Sequence, residues 1–226
     1  MPPWEDLPPT LQTEEVRPYY EALSRRGLQL RLKRLLDVVG ATVLFVLLGW
    51  LFVILALLIK LDSPGPVFFR QRRVTQFGRE FRIVKFRTMT YRPAALGDQI
   101  TRGDDPRITR VGAVLRRYRL DEISQLIDIL RGTMSFVGTR PEVPDYVRQY
   151  TSQMRATLLL PAGVTSTASI EFKDEAQILA AAPPGQDAYV TQVLPAKMRL
   201  NLRDVRDFSI GRDLRIAFRT ILAVAT

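Results

Sequence analysis

The sequence predicts an α+β protein that is anchored to a membrane by one N-terminal hydrophobic helix. Three observations lead to this fold class. An uncharged apolar run extends from Val38 to Ile59, basic and apolar residues alternate on both sides of a turn near Val74, and a helical periodicity extends from Ile108 to Gly132. The run predicts the membrane helix, and the alternation predicts a short β-hairpin. The periodicity predicts part of a mixed helical domain, which also carries interfacial amphipathic helices.

The leader and the membrane helix come first. Residues 1 to about 20 predict a flexible or surface-lying leader, and 21–36 predict a basic amphipathic helix, so that 1–36 forms a first region. The second region, 37–61, holds the apolar run, which as a helix would cover roughly 33 Å, about one hydrocarbon core. The run begins too late and is too long for a cleavable signal, and an acidic, proline-rich start precedes it.

Both flanks of the apolar run are basic. They carry Arg25, Arg26, Arg31, Lys33 and Arg34 before it, and Lys60, Arg70, Arg72 and Arg73 after it. Because basic flanks favour the cytoplasmic side, a re-entrant helix that returns to the same face satisfies the rule at both ends. A spanning helix that chooses one orientation is the alternative. The middle of the run has no proline, so Gly49 is the residue that could permit a bend.

The third region, 62–226, begins with the stop "DSPGP" and continues into the hairpin, in which "VTQFG" separates two alternating segments. The stretch 91–106 predicts a polar loop, and 174–181 predicts a helix. Near the end, "DLRIAFRTILAVA" predicts either a core helix or a helix that lies in the headgroup region. This region is the one with residues suited to chemistry.

Composition limits that chemistry. The net charge is +10, which favours anionic partners such as phosphates, acidic lipids or nucleic acid. The chain has no histidine and no cysteine, so a histidine base, a thiol nucleophile and a zinc site are excluded. There is also no phosphate-binding P-loop and no dinucleotide-binding glycine turn. Phosphoryl chemistry by a carboxylate at a membrane surface remains.

The adjacent carboxylates Asp121 and Glu122 are the candidates for that role. On a solvated helix such a pair has an ordinary explanation, because aspartate caps helices and glutamate complements the helix dipole. The two side chains form a site most easily at a helix end, which requires the helical run to break near Tyr118. Among arginines a carboxylate there stays ionised, which suits a nucleophile or a metal ligand.

Three basic residues supply candidate phosphate contacts. Arg116 precedes the carboxylate pair, Arg140 lies on a Gly-x-Arg-Pro turn, and Lys85 lies on the second hairpin strand. Arginine offers phosphate a planar fork and lysine a point charge, although most basic residues of this chain will be solvated. A hard metal ion held by carboxylate and phosphate oxygens, most plausibly Mg²⁺, would complete the site.

Five segments of the sequence resemble the bacterial sugar transferase family. The members of this family are monotopic phosphoglycosyl transferases. The segments are "RLKRLLDVVGATVLFVLL", "SPGPVFFRQRR", "FRIVKFRTM", "DDPRITRVGAVLRRYRLDEISQLIDILRGTMSFVGTRPE" and "DLRIAFRT". The similarity extends from about Arg31 to Thr220 and is typical of the minimal catalytic form. Three features depart from the family. Relatives break the hydrophobic helix with a Ser-Pro pair, whereas the middle here is "LLGWLFV". The family's Gly-Pro-Arg-Pro is Gly-Thr-Arg-Pro here, and "PAGVT" lacks an arginine that relatives often have.

The resemblance implies transfer of a phosphosugar from a UDP-sugar to undecaprenyl phosphate, with Mg²⁺, at the cytoplasmic face of the bacterial inner membrane. Asp121 would match the aspartate that forms a covalent phosphosugar intermediate and releases UMP. Glu122 would match its partner, which assists at the metal site with Asp121 or at the polyprenyl phosphate. Lys85, Arg116 and Arg140 would match the residues that position phosphates. The domain 62–226 is then the catalytic domain.

Two other functions were weighed. A non-catalytic, membrane-anchored adaptor of a polysaccharide assembly machine would explain the charge and the anchor, but not the specific string around Asp121 and Glu122. A nucleic-acid binder is disfavoured because the basic residues are dispersed and no recognition helix is legible. The sequence does not identify the sugar or the glycoconjugate pathway, and it leaves a homo-oligomer open.

Overall fold

The structure, a computed structural model, describes residues 1–91, 105–173 and 189–225. In these ranges the chain is α+β and mostly helical, as predicted. The α-helices are α1 (Arg17–Ser24), α2 (Gly27–Asp62), α3 (Arg110–Arg117), α4 (Leu126–Arg131), α5 (Pro144–Arg148), α6 (Thr167–Glu171), α7 (Leu194–Arg206) and α8 (Ile210–Ala225). The predicted loop at 91–106 lies mostly, and the predicted helix at 174–181 entirely, outside the described residues.

The strands of the described residues form two small sheets. They are β1 (Phe68–Val74), β2 (Glu80–Phe86), β3 (Met134–Val137) and β4 (Ala162–Thr165). Strands β1 and β2 form the predicted antiparallel hairpin, with Phe69 opposite Lys85. Strands β3 and β4 pair in parallel. The sequence did not predict this second pair, because its strands are short and far apart in the chain.

The N-terminal segment packs on the domain, so of the two predicted forms of the leader it is not the flexible one. Leu7, Leu11 and Val16 are buried in a core that also includes residues of α7. The rings of Trp4 and Tyr20 meet edge to face at a centroid distance of 5.0 Å. The predicted amphipathic helix over 21–36 is wrong in its bounds, because α1 ends at Ser24 and a new helix begins at Gly27.

Helix α2 contains the predicted membrane segment. It has 36 residues, and among the described residues it is the one helix long and apolar enough to cross a membrane. One face is buried in the core of the domain, through residues that include Ala41, Phe52 and Ile59. The opposite face exposes large apolar side chains such as Val46 and Trp50, which are 74% and 64% exposed. A lipid environment would remove this surface from water.

The first third of α2 is tied to the domain by charged side chains. Arg34 donates hydrogen bonds from Nη1 and Nη2 to the last carbonyl groups of α4, at 2.6 and 3.0 Å. Lys33 donates to the Val137 carbonyl at 2.8 Å and pairs with Asp213 of α8 at 2.5 Å. Asp37 accepts a hydrogen bond from the backbone N–H of Phe136. These contacts satisfy groups that would otherwise be buried without partners.

The other end of α2 is fixed to the same domain. The guanidinium of Arg87, which follows β2, donates to the carbonyls of Ile59, Ser63 and Pro64 at 2.6–3.1 Å. A cation on these carbonyls satisfies free acceptors and complements the helix dipole. Asp62 in turn accepts a hydrogen bond from the N–H of Val111 in the first turn of α3, at 3.0 Å. Helix α2 therefore leads directly into the elements that carry the candidate site.

Candidate active site

The carboxylate pair lies where a helix ends. Helix α3 stops at Arg117, and Arg119 adopts a left-handed conformation with φ of 53°. A 3-10 turn, Leu120–Gln125, then begins with Asp121 and Glu122 in its first turn. A left-handed residue other than glycine is uncommon, and here it marks the break between the two helical segments. The predicted break near Tyr118 is thus present, and it separates the carboxylates from the face of α3.

Two buried polar side chains dock the 3-10 turn on the hairpin. Ser124 donates a hydrogen bond to the Val84 carbonyl at 3.0 Å, and Asp128 accepts one from the Val84 N–H at 2.8 Å. Together they satisfy the free edge of β2 at the residue before Lys85. Neither residue was among those predicted from the sequence. The sequence does contain a pattern that could have identified them. Both are polar, and they lie four positions apart on the otherwise apolar face of a helical run.

Three of the predicted site residues are in direct contact. Lys85 Nζ lies 2.8 Å from Glu122 Oε1, and Arg140 Nη2 lies 2.5 Å from the same oxygen. Arg140 Nη1 also donates to Glu122 Oε2 at 3.3 Å, so the arginine binds the carboxylate with both arms of its fork. The Glu122 side chain is only 13% exposed. This arrangement holds two cations next to Asp121.

The surroundings of Glu122 keep it charged. Burial raises the pKa of Glu122, but Arg140 and Lys85 outweigh burial and bring it well below its usual range. Burial lowers the pKa of Lys85, with Glu122 opposing that effect. Glu122 is therefore held as a carboxylate between two basic side chains. Two basic groups beside one carboxylate favour an anion such as a phosphate group.

Asp121 is in a different environment from its neighbour. No ion pair to its carboxylate is present among the described residues. Burial raises the pKa of Asp121 and the charge of Glu122 adds to this, while Lys85 and Arg116 oppose it. A half-buried carboxylate without a bound cation is a stronger nucleophile than one neutralised by an ion pair. Of the two carboxylates, Asp121 is the one available to react.

Arg116 lies on the last turn of α3, on the same side of the site as Asp121. Its Nη1 atom is buried and has no hydrogen-bond partner among the described residues. A buried guanidinium nitrogen without a partner is costly, and a ligand with acceptor oxygens would satisfy it. Arg116 therefore provides an open donor, whereas Lys85 and Arg140 already contact Glu122.

The loop that carries Arg140 borders the site next to Glu122. It follows β3, where Gly138 and Gly163 are so close that a Cβ on Gly163 would lie 2.1 Å from the Gly138 nitrogen. Further along, the N–H of Val74 donates to the Glu142 carbonyl at 2.9 Å, and Arg73 donates to the Pro141 carbonyl at 3.0 Å. The loop thus lies along the β1 edge of the hairpin, while the 3-10 turn lies along the β2 edge.

The residues fit a Mg²⁺ ion in part. Among the described residues, no three or more acidic, histidine or cysteine side chains are placed so that they could hold a metal ion together. Mg²⁺ commonly binds one or two carboxylates together with substrate phosphates and water. Asp121 suits such a site, because within the described ranges no basic side chain forms an ion pair with it. Both oxygens of Glu122, the second predicted ligand, already accept hydrogen bonds from Lys85 or Arg140.

The fold and this site define a class of protein. An apolar helix is packed into an α+β domain. Among the described residues, the site of this domain combines the carboxylate of Asp121, which has no ion pair, with the basic side chains of Lys85, Arg116 and Arg140. The basic groups can bind phosphates, and the carboxylate can attack one of them. A sequence model of the family described as "Bacterial sugar transferase" matches residues 28–226. The chain belongs to this family, and the predicted family and class of enzyme are confirmed.

Individual relatives agree with the family match. The chain is 36% identical over 98% of its length to a UDP-glucose:undecaprenyl-phosphate glucose-1-phosphate transferase of Caulobacter vibrioides, of which it covers 79%. It is 33% identical over 85% of its length to the exopolysaccharide production protein ExoY of Rhizobium meliloti, of which it covers 84%.

A third relative is considerably longer than this chain. The chain is 34% identical over 86% of its length to a UDP-N-acetylgalactosamine-undecaprenyl-phosphate N-acetylgalactosaminephosphotransferase of Aeromonas hydrophila. It covers 44% of that protein. The names of the first and third relatives give different sugars, and the name of the second gives none. The comparison therefore does not identify a sugar.

Proposed function

We propose that this protein transfers a sugar 1-phosphate from a UDP-sugar to undecaprenyl phosphate and releases UMP. The relatives' names support the donor and the acceptor. The observation that supports the chemistry is the unpaired carboxylate of Asp121 beside Glu122, which holds Lys85 and Arg140 at 2.8 and 2.5 Å. The product would be a polyprenyl diphosphosugar, which is the first membrane-bound intermediate of a bacterial glycoconjugate pathway.

The reaction proceeds in two displacements at phosphorus. In the first, an Asp121 oxygen bonds to the phosphorus that carries the sugar, and the bond from that phosphorus to the oxygen shared with UMP breaks. UMP leaves with the electron pair, and an aspartyl phosphosugar remains. In the second, a phosphate oxygen of undecaprenyl phosphate attacks the same phosphorus and displaces the Asp121 carboxylate. The nucleophile is regenerated, and no oxidant or reductant is needed.

The cations have separate roles in this scheme. Lys85 and Arg140 offset the charge that builds up on the transferred phosphoryl oxygens, and Glu122 keeps both side chains aimed at that position. Arg116 donates its free N–H to a phosphate oxygen of the donor. Mg²⁺ would be held by Asp121 and by substrate phosphates, and it would supply further charge neutralisation.

The contacts of α2 support a re-entrant position in the membrane. Lys33 and Ile59 are bound to the same domain, although a straight helix would place them roughly 39 Å apart, more than one hydrocarbon core. Ala41 and Phe52 between them are core residues of that domain as well. A helix that crosses the bilayer would have to carry one of these contacts to the far side. We therefore place both ends of α2 and the domain on the cytoplasmic face of the inner membrane, where UDP-sugars are available.

A UMP-release assay across a panel of UDP-sugars, with undecaprenyl phosphate in detergent or nanodiscs, tests the proposal. At least one sugar should support turnover that requires both substrates. If the folded wild-type protein turns over none of these UDP-sugars, the result would favour the alternative function of a non-catalytic membrane-anchored adaptor. Binding of polysaccharide-assembly proteins without turnover would then be the property to measure.

A further inference from the structure

A buried polar cluster lies behind the loop that carries Arg140 and has no role in the mechanism above. Tyr189 donates a hydrogen bond from its hydroxyl group to Glu142 Oε1. Lys197 Nζ lies 3.3 Å from the Tyr189 hydroxyl and 3.7 Å from Glu142 Oε1, and Arg73 Nη1 lies 3.8 Å from Glu142 Oε2. Glu142 and Lys197 are buried. One carboxylate thus gathers groups from β1, from the turn at Tyr189–Val193 and from α7.

This cluster fixes the chain on the C-terminal side of Arg140. The Glu142 side chain binds Tyr189, its carbonyl accepts from Val74, and the Pro141 carbonyl accepts from Arg73. On the N-terminal side, the Thr139 carbonyl accepts a hydrogen bond from Gly163 at 2.9 Å. The residues on both sides of Arg140 are therefore held by the body of the domain.

The charged groups of the cluster also interact electrostatically with Arg140 and Glu122. Burial lowers the pKa of Arg73, Glu142 opposes this effect, and both Arg140 and Glu122 influence the same guanidinium. Without a carboxylate at Glu142, Arg73 would be a buried cation with one fewer counter-charge beside a second cation, Arg140. Repulsion between them would then shift the more exposed Arg140 side chain.

We propose that Glu142 and Tyr189 are positioning residues that set the location of the Arg140 guanidinium against the transferred phosphate. The Tyr189 hydroxyl orients the Glu142 carboxylate through its hydrogen bond. Glu142 then holds Arg73 and the loop, and the loop carries Arg140. Neither residue needs to touch the substrate. The proposal rests on the proposed function, because it assigns Arg140 to the phosphate.

A double-mutant cycle tests this assignment by UMP release and by thermal unfolding. Tyr189→Phe removes one hydroxyl group and should lower kcat by about tenfold, since a small displacement of a charge-stabilising group has effects of that order. In an Arg140→Ala background, Tyr189→Phe should have little or no further effect, because the residue through which it acts has gone. The matched control is Tyr20→Phe, which removes a hydroxyl bound to the Pro2 carbonyl at 2.8 Å in the N-terminal segment and should leave kcat unchanged.

Two results overturn the proposal: an unchanged kcat for Tyr189→Phe, or an equal fold loss in both backgrounds. The second would indicate a general structural role. If Tyr189→Phe does not fold, Glu142→Gln goes through the same cycle with the same two contradicting results, because it keeps the volume and a hydrogen-bond acceptor. A failure of the proposed function is distinguished at once, because the wild type would then release no UMP before any variant is compared.

Discussion

Arg140 and Glu122 lie on opposite edges of the hairpin, and the guanidinium of one binds both carboxylate oxygens of the other. Lys85 of strand β2 contacts the same carboxylate. Because both arms of the Arg140 guanidinium bind Glu122, the positions of the charged groups in the site depend on the planar guanidinium as well as on its charge. Asp121, the neighbour of Glu122, remains outside the ion pairs.

Arg140→Lys should therefore impair turnover although it preserves the charge. A lysine cannot bind Glu122 with two parallel hydrogen bonds, so we expect a loss of about ten- to hundredfold in kcat/KM. The measurement is UMP release at several donor concentrations. Arg155→Lys is the control, since Arg155 has no ion pair among the described residues, and near-equal rates for both variants would contradict the role of the fork.

Asp121→Asn should abolish formation of the covalent intermediate. The amide has nearly the same shape but cannot attack phosphorus as an anion, so the rate should fall by at least about 10³-fold. Intact-protein mass spectrometry with donor alone should show the added phosphosugar on the wild type and on the control Asp145→Asn, an exposed position on α5. A near-normal rate for Asp121→Asn would rule out the aspartyl intermediate.

Chelation should test the metal independently of the nucleophile. EDTA should abolish UMP release, and added Mg²⁺ should restore it, because one free carboxylate and substrate phosphates suit this ion. Glu122→Gln should weaken activity without raising the Mg²⁺ concentration required for half-maximal rate, since Glu122 is engaged by Lys85 and Arg140. Full activity in chelator would remove the metal from the mechanism, and a large shift in the Mg²⁺ requirement would restore Glu122 as a ligand.

Asp128 should make stability depend on pH. Burial raises the pKa of Asp128 to about 6 from 3.8, although the Val84 N–H opposes this. Between these values the folded protein binds more protons than the unfolded chain, so the contribution of Asp128 to the free energy of unfolding falls as pH rises through this window. Asp128→Asn, compared with the wild type and with Asp145→Asn by urea unfolding, should remove about 1–2 kcal/mol of this dependence. Parallel wild-type and Asp128→Asn curves would contradict the assignment.

Re-entry of α2 can be tested with single cysteines, because the chain has none. Ser24 precedes α2 and Ser152 lies in the catalytic domain, and both are exposed. In intact cells an impermeant thiol reagent should label neither Ser24→Cys nor Ser152→Cys until the inner membrane is opened. Labelling of the Ser24 position from outside would establish a spanning helix.

The sequence predicted the elements that have a local signal. The apolar run, the alternating hairpin and the break between α3 and the carboxylate pair are each visible in a short window, and the family resemblance then pointed to Asp121 and Glu122. The packing of the N-terminal segment was not predicted, because Leu7, Leu11 and Val16 follow no regular period and prolines lie among them. The cluster around Glu142 was not predicted either, because it joins residues more than a hundred positions apart and only the fold brings them together.

The way α2 is built into the core bears on how this enzyme can be handled. Ala41, Phe52, Leu55 and Ile59 belong to the same apolar cluster as Phe86 and Leu115, and Asp62 binds the first turn of α3. A truncation that removes α2 would uncover that cluster, take away the Asp62 contact to the start of α3, and remove the Ile59 carbonyl that binds Arg87. Helix α2 is thus not a removable tether, and a water-soluble version of the enzyme will require replacement of its exposed apolar face rather than deletion of the helix.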